Sequence, residues 1–363
     1  MGETHRTTLK DIARSLGMSV NTVSRALNGK DSVSEKTRER IRAEAERLGY
    51  VPNSLARSLV LGSPMTIGMV ITNPSNPFYA RLISAVEQRG RTRGYSLMLL
   101  VTEENAESDR SAAESLLRWG VDGALVVPVQ NETEHWKRFR SSGIPLVLLN
   151  RDVPGLEADF VGVDYERGAY EATTHLLDAG ARTICLLEED LPISPVEDRI
   201  SGFRRAMSEH GHAVGEGTVQ SVPTRRKDSS ALPWEPADSH QIAREVIDGP
   251  GRPDAVLVGN DYFALGVYRA LEESGLRVSE DVLVGGYGDH PFAPYLSPPL
   301  STVRLPAAEI GTEAVDLLFR RIKDRNKHED RDKKRLPPQL VTRRSSAFPH
   351  DRGTSSPRGA VTP

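Results

Sequence analysis

The sequence predicts an N-terminal all-α helix-turn-helix headpiece followed by a two-lobed α/β body with parallel sheets. Three observations carry this expectation. Two short amphipathic helical patterns flank a glycine-containing turn near the N-terminus. From residue 66 onward, strand-length aliphatic runs alternate with amphipathic helical patterns, as in a parallel sheet covered on both faces. That alternation occurs twice in tandem, so the body divides into two similar lobes. The length of 363 residues also exceeds that of one ordinary domain.

In the head, Thr8 and Asp11 form a capping-box-like start, and Leu9, Ile12, Ala13 and Leu16 fall on one helix face. Gly17 ends that helix and Met18 supplies an apolar plug. Ser19 caps a second helix in which Val23, Ala26 and Leu27 point inward. Val20, Asn21, Ser24 and Arg25 are left on its outer face. Arg suits the paired acceptors of guanine, Asn suits adenine, and Val can pack on a thymine methyl. A third helix runs from Ser34 to Leu48, with Ile41, Ala45 and Leu48 inward and Gly49 placed to end it.

In the body, strands are expected at residues 66–71, 96–101, 123–127, 145–149, 160–163, 183–187, 255–258 and 282–285. Helices are expected at 78–94, 108–119, 133–142, 166–179, 199–210, 239–247 and 264–274. Ligands of open parallel sheets sit beyond the carboxyl ends of strands, so the cleft between lobes is the expected pocket. The strand-end loops around Asn73, Asn150 to Asp152, Arg199, Gly259 to Asp261 and Tyr287 to Asp289 carry side chains suited to a small polar metabolite.

Charge separates head from body. Residues 1–62 carry +4, residues 63–319 carry −15 and residues 320–363 carry +8, within a net charge of −3. A basic head on an acidic body fits a nucleic-acid module attached to a soluble sensor. The basic stretch from Arg320 to Arg335 is read as solvated helix ends and loops rather than a DNA contact. The single cysteine, Cys185, sits in an apolar run and reads as a buried strand residue. No apolar run reaches membrane-spanning length and the N-terminus is polar, so a cytoplasmic protein is expected, without membrane association.

The run TLKDIARSLGMSVNTVSRALN at 8–28, Val33-Ser34, LGYVPN at 48–53 and ARSL at 56–59 closely resembles the headpiece of the lactose-repressor/galactose-repressor family of transcription regulators. The resemblance continues through IGMVI at 67–71, NPFY at 76–79, VDGA at 121–124, GND at 259–261, APYLSPPLSTVR at 293–304 and LVTRRS at 340–345. It implies a periplasmic-binding-protein-like body and a hinge helix that forms on DNA. The implied organisation is a headpiece at 1–52, a hinge and linker at 53–64, a two-lobed effector-binding and dimerisation domain at 65–347, and a disordered tail at 348–363. The first lobe is placed at about 65–162 and 302–322 and the second at about 163–301 and 323–347, with crossings near Gly162, Ser301 and Ile322.

By the same resemblance, the DNA-contacting candidates are Thr8, Ser19, Val20, Asn21, Thr22, Ser24, Arg25 and Asn28 in the headpiece, and Asn53, Ala56, Arg57 and Leu59 in the hinge. The effector-contacting candidates are Asn73, Phe78, Arg151, Arg199, Asn260, Tyr287 and Asp289. The implied partners are a palindromic double-stranded operator, a second copy of the chain, and a sugar or sugar-like effector, with no cofactor or metal. The tail lacks leucine heptads, so no C-terminal coiled-coil tetramer is expected.

Two features depart from the family. Its members usually carry two adjacent acids after the glycine-aromatic pair, the first of which often binds the effector, whereas here Gly288 and then Asp289 follow Tyr287. Asp289 is expected to take that role if any acid does. The second departure is a long basic stretch from Thr224 to Ser239, read as a floppy insertion in preference to a lid. Two other readings are weighed. A solute-binding transport receptor would share the body but needs a secretory signal in place of the basic helix-turn-helix. An enzyme would need a phosphate-cradling glycine loop, a metal cluster or a nucleophile elbow, none of which the sequence shows.

Leu59 stands in a Pro- and Ser-rich connector with little core to receive it, and the resemblance makes it a minor-groove wedge. Leu59→Ala should therefore weaken binding to an inverted-repeat site more than binding to random duplex. Equal losses on both DNAs in a filter-binding titration would remove the wedge.

Overall fold

The computed structural model describes residues 7–27, 33–50, 63–130, 132–215, 217–223, 234–324 and 330–347. The chain divides into two compact units, Met1–Pro64 and Met65–Pro363.

The first unit contains three helices, α1 (Leu9–Leu16), α2 (Val20–Leu27) and α3 (Glu35–Arg47). The Thr8 backbone N–H donates to the Asp11 carboxylate at 2.9 Å, which ties down the start of α1. Gly17 ends it at φ 64°, a left-handed conformation that glycine adopts without a Cβ penalty. The Ser19 hydroxyl accepts from the Thr22 N–H at 3.1 Å and starts α2. Ile12, Ala13, Val23, Ala26, Ile41 and Ala45 form the buried centre, ringed by Leu9, Leu16, Met18, Leu27, Val33, Leu48 and Tyr50. The apolar positions read from helical periodicity are thus the ones that pack.

The second unit begins with β1 (Thr66–Ile71), α4 (Pro77–Arg91), β2 (Ser96–Val101), α5 (Ala106–Trp119), β3 (Gly123–Val126), α6 (Glu134–Ser141), β4 (Leu146–Leu149) and β5 (Asp159–Val163). It continues with α7 (Tyr165–Asp178), β6 (Ile184–Glu189), α8 (Ser194–Glu209), β7 (Val219–Val222), α9 (Pro236–Asp248), β8 (Ala255–Val258), α10 (Asp261–Glu273) and β9 (Leu283–Gly288). The last part is a 3-10 turn at Ala293–Tyr295, β10 (Ser301–Arg304), α11 (Ala307–Lys323), β11 (Lys333–Leu336), β12 (Gln339–Val341) and a second 3-10 turn at Arg344–Ser346.

Two six-stranded sheets result, in the orders β11-β5-β4-β3-β1-β2 and β12-β10-β9-β8-β6-β7. All neighbours in the first are parallel, and in the second only β10 and β12 run antiparallel. The central strands β3, β4 and β8 are buried along their whole length, as strands covered by helices on both faces must be. Cys185 lies on β6, where burial pushes its thiol up to about 12.

The lobe boundaries near residues 301 and 322 need correction. β10 pairs with β9 and so stays in the second lobe, while α11 packs on α4 and on β3 to β5 of the first. β11 pairs with β5 in the first lobe, and β12 returns to the second. The chain therefore crosses between Val163 and Tyr165, between Arg304 and Ala307, and between Leu336 and Gln339. The first crossing stands next to the expected Gly162, but the second and third fall later than Ser301 and Ile322.

The described part of the basic stretch comprises the end of α11, a loop at 330–332 and strand β11, with most of its side chains exposed; the strand is what the expectation of solvated helix ends and loops did not include. Its cations meet acids of the body: Arg321 pairs with buried Asp159 at 2.8 Å, Lys333 with Asp152 at 2.8 Å, Lys334 with Glu313 at 2.9 Å and Arg335 with Asp198 at 2.7 Å. The consecutive cations Lys333, Lys334 and Arg335 hide this strand from a hydrophobicity pattern, because an edge strand needs no buried face on both sides. Among the described residues, no helix is long and apolar enough to cross a membrane.

Helices α7 and α8 lie against each other at Gly202, where a Cβ would collide with the main-chain carbonyl of Glu166. Gly202→Ala should destabilise the body by about 1–3 kcal/mol through overpacking. Urea unfolding of the purified protein checks this, and an unchanged midpoint would contradict the close approach.

Candidate functional site

The headpiece presents a polar rim at the start of α2. Packing of Val23 and Ala26 turns Val20, Asn21 and Arg25 to solvent, with Val20 41% exposed. Thr22 and Ser24 are half-buried. Ser19 is exposed, and its hydroxyl lies 2.8 Å from that of Thr22. Thr8 is exposed as well, with its hydroxyl donating to Asp11 at 2.7 Å. Thr8 and Ser19 thus hold helix starts, while the other exposed side chains lie open on one face. Asn28, Asn53, Ala56, Arg57 and Leu59 lie outside the described residues.

In the body, the carboxyl ends of the parallel strands meet around a cavity of ≈ 50 Å³. Five of the seven effector candidates line it: Phe78, Arg151, Arg199, Asn260 and Tyr287. Four of them stand at or just after a strand end. Phe78 follows the Asn76 cap of α4, Arg151 follows β4, and Asn260 caps α10 by accepting the Tyr262 N–H at 3.1 Å. Tyr287 lies near the end of β9. Arg199 projects from inside α8, since Pro195 occupies the first turn and the helix begins five residues earlier than the expected start at 199.

Both arginines are buried and held by carboxylates. Arg199 donates through Nε and Nη2 to Glu188, at 2.8 and 2.6 Å. Arg151 donates to Glu104 at 2.7 and 2.5 Å and to the Pro128 carbonyl at 3.2 Å. Burial by itself would lower the pKa of Arg199, but Glu188 more than offsets it and keeps the guanidinium charged. Tyr165 and Tyr287 stack at 5.9 Å, and Arg199 lies over both rings at 5.3 and 5.4 Å.

Asn73 and Asp289 do not line the cavity. The Asn73 side chain turns back to accept the Ser75 N–H at 2.7 Å, and Asn76 takes its place in the wall. Asp289 receives Arg304 and Arg343 at 2.7 Å each, and these hold its carboxyl below the usual range despite partial burial, which acts in the opposite direction. The expectation that Asp289 replaces the missing acid is therefore corrected, because two cations engage its carboxylate away from the cavity.

The rest of the wall includes Tyr165, Glu189, Trp234 and His290. Tyr165 donates to Asn150 Oδ1 at 3.0 Å, and Trp234 Nε1 donates to Glu189 at 3.0 Å. Tyr165 and Glu189 follow the strand-end rule applied to β5 and β6, so that rule could have found them. Trp234 lay hidden in the stretch read as floppy, yet it is buried against the Tyr262 ring with centroids 6.1 Å apart. Residues 224–233 of that stretch lie outside the described residues.

Comparison with known proteins places both units. The family profile described as bacterial regulatory proteins, lacI family, matches residues 8–53, and that of a periplasmic binding protein-like domain matches residues 173–346. The chain is 33% identical over 339 residues to the HTH-type transcriptional repressor PurR of Photobacterium profundum, covering 93% of this chain and 98% of that protein. It is 34% identical over 318 residues to the ribose operon repressor of Escherichia coli (strain K12), covering 87% and 93%. Among solved structures, the lac repressor dimer bound to operator and the anti-inducer ONPF superposes with a TM-score of 0.82 at 25% identity, covering 94% of this chain and 99% of that one. The chain belongs to the lacI family of bacterial regulatory proteins and is a transcriptional regulator.

Proposed function

We propose that the protein is a cytoplasmic repressor that binds a palindromic operator as a homodimer and responds to a small polar effector held between its lobes. The observation that carries this reading is the solvent-facing trio Val20, Asn21 and Arg25 on the first two turns of α2, backed by the buried face of the same helix. A helix presented in this way fits the major groove, where Arg and Asn distinguish guanine and adenine. A two-fold pair of headpieces demands an inverted repeat.

Self-association has a candidate surface in the body. β2 is an edge strand of the first sheet and exposes Leu99 and Val101, which are 40% and 38% exposed. Exposed aliphatic side chains on an edge strand favour burial against another copy.

Effector control follows from the three crossings. Residues of both lobes wall the cavity, and further bonds bridge the lobes: Ser194 N–H to Gln130 Oε1 at 2.8 Å, Arg335 to Asp198 at 2.7 Å, and Arg81 to the Asp289 carbonyl at 3.3 Å. A ligand touching both walls would favour this closed arrangement over an open one. A preference of about 10² for one arrangement corresponds to roughly 2.7 kcal/mol of coupling to DNA binding.

Arg25→Ala should cost about 1–3 kcal/mol on the selected operator, some 10- to 10²-fold in Kd, and relax specificity at one base pair. Fluorescence anisotropy on DNA selected from a genomic library measures this. A wild-type protein that prefers no inverted repeat over bulk DNA would refute the operator reading.

A further inference from the structure

We propose that Gln130 is a positioning residue that caps α8 from the opposite lobe, so that lobe closure and order in the first turn of α8 are one event. This rests on the effector reading of the cleft and names how closure is registered in its wall.

The start of α8 has no cap of its own. Ile193 stands at the N-cap, where its side chain offers no acceptor, and Pro195 in the first turn has no N–H to place. The N–H groups of Val196 and Glu197 donate to the Ile193 carbonyl at 3.0 and 3.2 Å, and that of Ile193 donates to the Leu191 carbonyl at 2.9 Å. The remaining donor of this turn, the Ser194 N–H, goes to Gln130 Oε1 at 2.8 Å. Gln130 follows β3 of the first lobe, whereas α8 belongs to the second. The acceptor that a local Ser, Thr, Asp or Asn ordinarily supplies is here brought by the other lobe.

The far end of the amide fixes its orientation. Gln130 Nε2 donates to the Asp152 carbonyl at 2.8 Å and lies 3.2 Å from the Ser194 hydroxyl. A flipped amide would set oxygen against a carbonyl and NH₂ against an N–H, so the oxygen faces α8. Asp152 adjoins Arg151, and Ser194 opens the helix that carries Arg199. Both guanidiniums wall the cavity, together with Ile193 and Pro195. One half-buried side chain thus joins the wall segments of the two lobes.

A second tie reaches the same helix. Arg335 of β11 meets Asp198 at 2.7 Å, one turn on from Ser194 and on the same helix face. These side chains are 44% and 27% exposed, so the pair adds little by itself. Parting the lobes would take Gln130 and Arg335 away together and leave the Ser194 N–H to water. A first turn with an apolar N-cap then frays, and Ile193 and Pro195 lose their fixed place in the wall. Loss of a cap corresponds to about fivefold in the ratio of ordered to frayed turn. A molecule that touches this turn would meet its ordered form in the closed arrangement, which converts occupancy into closure.

The test uses the full chain without added ligand, in a Trp119→Phe background. That change removes the exposed indole and leaves Trp136 in the core of the first lobe and Trp234 in the cavity wall. Gln130→Met keeps the side-chain length without donor or acceptor. It should speed amide hydrogen exchange across residues 193–197 about fivefold and raise acrylamide quenching of the tryptophan emission, as the cleft opens over Trp234. Gln130→Glu keeps the acceptor and should hold exchange in that turn near the wild-type rate. Exchange in β4 and β8 reports that both sheets stay folded in each variant. Exchange across 193–197 left unchanged by Gln130→Met, or raised as much by Gln130→Glu, would overturn the cap. Faster exchange there without a rise in quenching would overturn its coupling to lobe closure. The regulator reading stands apart from these outcomes, since operator binding decides it.

Discussion

The pairing of buried charge at strand ends is the constraint on which the body depends. Parallel sheets bring their carboxyl ends to one side, and here both sheets bring them to a shared cleft. Each lobe places one guanidinium there with its own bidentate carboxylate: Arg151 with Glu104 in the first, Arg199 with Glu188 in the second. Such pairs add little net stability, because desolvation cancels much of the attraction, but they fix orientation. In the first lobe Glu103 and Glu104 adopt φ of 51° and 58°, a left-handed region that costs a non-glycine residue about 1–2 kcal/mol.

Charge pairing also marks the end of α11 and strand β11, here mostly between exposed side chains. Unpaired, their cations would suit a nucleic-acid surface, as the charge count alone allows. Folded, Arg321, Lys333, Lys334 and Arg335 meet acids of the body, so these cations are paired within the chain. The positive head is then the segment whose exposed polar face suits DNA. Its helix starts rest on local caps at Thr8, Ser19 and Ser34, and its core needs fewer than twenty apolar side chains.

Much of the cavity was legible because strand ends are legible. Short aliphatic runs announce β1, β4, β8 and β9, and the residues at or just beyond their ends include Arg151, Asn260 and Tyr287. Asn73 obeyed the same rule and still turned away, since an Asn two residues before a backbone N–H can close a turn on itself. Asp289 failed for a long-range reason: Arg304 and Arg343 reach it from β10 and from the residues after β12, and no local pattern reveals that meeting. His290 was passed over because a lone histidine has no spacing signature.

Local chemistry in the chain determined the helices of the head, the caps that start them, the alternation of strand and helix, and the kinship that those residues spell out. These depend on interactions within a few residues, where periodicity and capping leave their mark. Which lobe received β10 and β11 and which acid Arg343 sought were decided by tertiary structure. Each of these joins segments distant in the chain, and desolvation makes partners of charges and lone pairs only once the fold has enclosed them.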